Sequence, residues 1–255
     1  MNLKNDNDTQ QIRYPIEQQP APGETLEIAS GVRWLSMPMP GSLGFINLYL
    51  LRDHHGWWIV DTGLSNDQTA ALWQRVFADE LAGKPVVGVI CTHMHPDHIG
   101  QARMITERFQ CPLYMTRGEY YQARTFANGG SESHSSWIGQ RFYQRAGMPA
   151  DYLEEIGKMW SQRASEGMSM PMLPGGYERL VDGQVLSIGD NDWRVVVGSG
   201  HSPEHACLYC AQLKVLISGD QILPITVSYT HLRAHETRED LGWPLLGEKK
   251  NGGGG

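Results

Sequence analysis

Residues 84–98 read KPVVGVICTHMHPDH, an apolar, β-branched run followed at once by three histidines and an aspartate between His93 and His98. The apolar part has the length of one buried strand and is too short for a buried helix. Polar side chains at the end of such a strand lose hydration, and without partners they are costly. A histidine-rich surface loop is the bland reading, and the buried strand that precedes it argues against it.

In an extended chain, side chains two apart point the same way, roughly 6.5 to 7 Å along the strand. His93 and His95 can therefore close on one cation. Pro96 ends the extended geometry and re-aims Asp97 and His98, an oxygen and a nitrogen donor that suit a second borderline cation such as zinc. Two adjacent metal positions are expected.

The rest of the chain is organised around this segment. After a polar arm (residues 1–20), GVRWLSMPMPG and GFINLYLL read as strands, and RDHHG turns the second into WWIVDTG. His54 and His55 fall in that turn and are expected to be solvated. Residues 65–82 have a Ser/Asn/Asp start and helix-period apolar positions, with Gly83 as the stop. Further on, WRVVVGSG runs into GHSPEH as VVGVICT runs into HMHPDH, and ACLYCAQLKVLISGD reads as a hairpin ending in Asp, as WWIVD does. The chain thus reads as two related halves whose polar strand ends can meet along one edge, where chemistry would collect.

Residues 117–175 form a largely helical insert between the halves, expected to cover that edge. Its Met148, Met159, Met168, Met170 and Met172 suit either core filling or a compliant pocket. Tyr120 and Tyr121 are weak candidates for substrate contact, and His134 lies in a polar, solvated stretch. Cys91, Cys111, Cys207 and Cys210 are too few for a disulfide framework and read as buried free thiols.

Formal charge is −7, from 21 basic and 28 acidic residues, with no basic cluster for nucleic acid or an anionic membrane. No apolar run is long enough to span a bilayer, and the N-terminus lacks a secretory signal. A cytoplasmic protein acting on a small molecule is expected, with neither nucleic acid nor membrane as partner.

HMHPDH and its preceding strand, DTG at Asp61 to Gly63, GHSPEH, and SGD at Ser218 to Asp220 together resemble the metallo-β-lactamase fold hydrolases. The similarity covers roughly residues 14–227, in the family's order. It implies an α/β protein with a four-layer αββα sandwich, spanning residues 21–227 with the insert at 117–175. It also implies that His93, His95 and His201 hold a first metal, that Asp97 and His98 hold a second, and that Asp220 bridges them. Asp61 and His205 would orient ligands, although structural packing serves His205 equally well.

Such a centre implies a zinc-dependent hydrolase that uses metal-bound hydroxide on a small ester, thioester or lactone, with Asp97 as the catalytic carboxylate. The nearest subgroup is hydroxyacylglutathione hydrolase-like. The alternatives are a mononuclear iron, persulfide dioxygenase-like oxidoreductase using His93, His201 and Asp220, and an inactive metal-binding member of the fold. Residues 228–255 show neither strand nor helix periodicity, end in four glycines, and contain SYTHLRAHET, which resembles translated sequencing-adapter read-through. That tail is expected to be non-native or disordered, with His231 and His235 solvated. The family's further histidine, some tens of residues beyond the bridging carboxylate, would then be missing and the second metal site incomplete.

Overall fold

The computed structural model describes residues 15–16, 18–41, 44–130, 137–163 and 170–222. Most of the N-terminal arm, His134, Met168 and the tail at 228–255 lie outside the described residues.

Among the described residues seven strands form the first sheet, in sequence order. β1 (Thr25–Ala29), β2 (Val32–Pro38), β3 (Phe45–Arg52) and β4 (Trp57–Val60) are antiparallel neighbours, while β5 (Val86–Ile90), β6 (Leu113–Thr116) and β7 (Glu178–Leu180) continue in parallel. The turn between β3 and β4 is the expected RDHHG, closed by the Asp53 carboxylate, which accepts the His55 N–H at 3.0 Å. His54 there is exposed.

Parallel neighbours require a crossover, and here it is helical. α1 (Asp67–Arg75) starts where Asn66 Oδ1 accepts the Thr69 N–H at 2.8 Å, and a wider π turn, Val76–Glu80, extends it toward Gly83. α2 (Pro96–Ile99) and α3 (Ala102–Phe109) link β5 to β6. The insert supplies α4 (Arg117–Thr125) with a π turn at Phe126–Gly130, then helices at Trp137–Arg145 and Ala150–Arg163. It returns the chain to the same sheet, because β7 pairs with β6. Met170 packs on the core, whereas Met172 is exposed. Tyr120 is buried and stacked on Tyr177, and Tyr121 is 56% exposed.

Among the described residues the second sheet has four antiparallel strands: β8 (Val185–Ile188), β9 (Asn191–Gly198), β10 (His205–Cys210) and β11 (Val215–Ile217), ordered β11-β10-β9-β8. Strand alternation divides the core in two. Leu35, Leu48, Leu50, Ile59 and Val89 cluster with Trp73, Phe77 and Ile105 of the helices. Val32, Leu51, Val60 and Ile90, from the opposite face of the first sheet, cluster with Leu186, Trp193, Val195, Leu208 and Ile217 of the second. On the outer face of the second sheet, Val185, Val196, Tyr209 and Leu216 are exposed.

The strands at 32–38, 45–52, 57–60 and 86–90 lie where the sequence places them. β1 does not, because the sequence reading gave no strand between the arm and Gly31. It is an edge strand of 5 residues, mostly part-buried, so its alternation is faint. Among the described residues no helix is long and apolar enough to cross a membrane.

Candidate metal centre

The two strand ends foreseen from the sequence meet. β5 delivers Thr92 and His93, and the Ala206 N–H at the start of β10 donates to the Thr92 carbonyl at 2.8 Å. The GHSPEH loop is thereby held against HMHPDH. His201 Nε2 lies 3.1 Å from both His93 Nε2 and His95 Nδ1. Asp220 Oδ2 stands 3.4 Å from His201 Nε2, and its Oδ1 stands 3.4 Å from His98 Nε2.

Two groups of donor atoms result, each within 4.8 Å of one another: His93, His95, His201 and Asp220 in one, and Asp97, His98 and Asp220 in the other. All six residues singled out in the sequence are present, and Asp220 belongs to both groups. Tetrahedral ligands about 2.0 to 2.1 Å from a zinc ion stand about 3.3 Å apart. The 3.1 and 3.4 Å separations in the first group match that edge. His98 Nε2 is buried, has no hydrogen-bond partner among the described residues, and faces two carboxylates, Asp220 and Asp97, at 3.4 and 3.6 Å. By donor type and spacing, each group could hold a metal ion.

The surrounding residues fix these side chains. Asp61 Oδ2 accepts from His98 Nδ1 at 2.8 Å, and Asp61 Oδ1 takes the Thr92 N–H at 2.8 Å. This leaves the other ring nitrogen of His98 turned toward Asp220 and Asp97. The Thr62 N–H and hydroxyl both donate to the His98 carbonyl at 2.8 Å, which seats the HPDH turn on the DTG loop. Gly100 completes that contact: a Cβ there would lie 2.3 Å from the Gly63 carbonyl oxygen. Buried His205 accepts the Asp220 backbone N–H on Nε2 at 3.2 Å and stacks on His93, so it both packs and orients.

Electrostatics favour cation binding. Burial, with the other histidines, holds His93 well below the ordinary imidazole value, leaving it neutral. His205 is pushed down to about 3 by burial and by His201 and His98. Burial pulls His98 the same way, but Asp61, Asp220 and Asp97 outweigh it and raise its pKa well above the ordinary value. Burial alone would raise Asp220, yet His98 and His201 hold it well below the carboxylate range. The negative field that would keep a proton on His98 would equally hold a metal ion.

Glu119 was not foreseen. It is fully buried at the start of α4 and accepts from the Met94 N–H at 2.9 Å, the Ser202 hydroxyl at 2.6 Å and the Glu204 N–H at 2.8 Å. In RGEYYQ it reads as an ordinary acid in a helix's first turn, and only the tertiary fold reveals its partners.

The chain is similar to known proteins over most of its length. Residues 41–247 match the Metallo-beta-lactamase superfamily. The crystal structure of a beta-lactamase domain protein from Burkholderia ambifaria superposes with a TM-score of 0.70 at 38% identity, covering 84% of this chain and 61% of that one. The acyl-coenzyme A thioesterase MBLAC2 of Gallus gallus is 26% identical over 202 residues, 76% of this chain and 64% of that protein. An uncharacterised protein of Aquifex aeolicus is 29% identical over 135 residues, 53% of this chain and 48% of its own length. The chain therefore spans less than two thirds of each of these relatives.

Proposed function

The chain belongs to the Metallo-beta-lactamase superfamily, and from that premise we propose that it is a metal-dependent hydrolase of small acyl thioesters, with zinc as the metal. The observation that carries this reading is the convergence of His93, His95, His201 and Asp220 on one point, with Asp97 and His98 beside it. Nitrogen and carboxylate donors at tetrahedral spacing suit zinc. His95 favours the hydrolase over the iron oxidoreductase, because its Nδ1 joins the first group as a fourth donor where the oxidoreductase pattern uses His93, His201 and Asp220.

When bound, two neighbouring zinc ions would supply Lewis acidity that activates water and polarises a carbonyl. The protein's part is positional. His93, His95, His201 and Asp220 would hold the first ion, and Asp97, His98 and Asp220 the second. Asp97 is only part-buried, so its carboxylate can orient the attacking water and accept its proton. Asp61 holds His98 and His205 holds the Asp220 backbone, which fixes both ligands before substrate arrives. A cysteine nucleophile is disfavoured: burial raises the Cys91 thiol well above its ordinary value and pushes Cys207 up to about 11.

A thioester is preferred over an ester or lactone because the Gallus gallus relative is named an acyl-coenzyme A thioesterase. The substrate is small, and neither nucleic acid nor a membrane is part of the reading. The test is release of free thiol from a short-chain acyl thioester. Activity is expected to vanish with chelator and return with zinc. Activity that survives complete metal removal would contradict the proposal.

A further inference from the structure

The three hydrogen bonds to Glu119 come from both loops that carry the histidines of the first donor group. Met94 lies between His93 and His95, while Ser202 and Glu204 follow His201. The contact is reciprocal, because the Glu204 carboxylate accepts the Gly118 N–H at 2.6 Å and the Thr116 hydroxyl donates to the Glu204 carbonyl at 2.7 Å. The first turn of α4 is thus clamped between the two ligand loops.

A carboxylate is an expensive choice for a buried clasp, since desolvating an ion costs several kcal/mol unless its lone pairs are used. Here all three partners are donors, so an acceptor-only group fits and an amide does not. Glutamine would turn its NH2 toward either the Met94 N–H or the Ser202 and Glu204 donors, and one side of the tie would be lost. The carboxylate also lies against the loops that carry His93, His95 and His201, where an acidic group favours a cation.

We propose that Glu119 is a positioning residue for the first metal position: it fixes the His93–His95 loop against the His201 loop so that their ring nitrogens meet, and it anchors the helical insert to that centre. This inference rests on the metal-binding reading above. Groups that orient metal ligands typically contribute 10- to 100-fold in metal affinity.

The test is titration of the chelator-stripped full chain with zinc against a competing chelator, and with cobalt(II), whose visible absorption reports ligand geometry. Wild type is compared with Glu119→Ala, Glu119→Gln and Ser202→Ala, with circular dichroism of each metal-free protein as the control for folding. The tight equivalent is expected to weaken about 10- to 100-fold in Glu119→Ala, less in Glu119→Gln and least in Ser202→Ala, with an altered cobalt spectrum. Ser202→Ala removes one donor and leaves two, so it decides the matter if Glu119→Ala fails to fold. Wild-type affinity and an unchanged spectrum in the folded variants would overturn the inference while leaving the metal site intact. A wild-type chain that binds neither metal would overturn the metal-site reading and the inference with it.

Discussion

Asp61 Oδ2 and His98 Nδ1 lie 2.8 Å apart, and Asp61 sits in the left-handed backbone region at φ 62°. The aspartate both orients the imidazole and tolerates a conformation that few residues other than glycine, Asn and Asp adopt readily. Asp61→Asn is therefore the informative change, because asparagine accepts the same backbone but removes the charge. Metal affinity at the Asp97, His98 and Asp220 position is expected to fall about 10- to 100-fold, with the fold retained. Calorimetric metal titration checks it.

Gly100 is required by close approach, not by φ. A Cβ there would meet the Gly63 carbonyl oxygen and the Ser65 backbone nitrogen, both at 2.3 Å. Backbone must move to admit it, so Gly100→Ala is expected to destabilise the metal-free protein by about 1–3 kcal/mol. The HPDH turn would shift off the DTG loop at the same time. Denaturant unfolding and metal titration of the same variant should show both losses together.

Much of the centre was legible because its ligands are local in sequence. His93, His95, Asp97 and His98 occupy one strand end and one turn, so residue type and spacing suffice. His201 and Asp220 lie far along the chain and were reached through resemblance, and β10 pairing with β9 and β11 brings them in. Glu119 carries no such signal, since its role depends on partners at positions 94, 202 and 204. β1, β6, β7 and β8 were missed for a related reason: each has only three to five residues, too few alternations to separate from a loop, whereas β4 and β5, equally short, stood out as unbroken apolar runs.

The thiols offer a test of burial that is independent of metal. Cys91, Cys207 and Cys210 are buried, and Cys111, half-buried, has its thiol pushed up from 9.0 to about 11 by burial. A pKa raised by about two units means roughly 100-fold less thiolate than an unperturbed cysteine at neutral pH. Alkylation by iodoacetamide is expected to be slow for all four in the native chain and fast after unfolding. Rapid labelling of Cys207 in the native state would contradict the packing of β10.

Leu48 and Leu50 are fully buried between β3 and the helices. Leu48→Ala should cost about 2–5 kcal/mol through lost burial and the cavity left behind. A urea midpoint that falls with an unchanged slope confirms it. The donors of the metal centre sit in loops beyond the strand ends, outside the cluster that holds Leu48, so metal stoichiometry should be preserved in this variant below its unfolding midpoint.

The central claim is that residues 108 positions apart, His93 and His201, share one cation with His95 and Asp220. Equilibrium zinc titration of the chelator-stripped full chain, beside His201→Ala, tests it most directly. Among the described residues the first position has four donors and the second three, counting Asp220 in both. The account predicts one tight equivalent in the wild type, with any second equivalent weaker, and loss of the tight equivalent in a folded His201→Ala protein. A wild-type chain with no tight equivalent, or a His201→Ala protein that keeps it, would contradict the account.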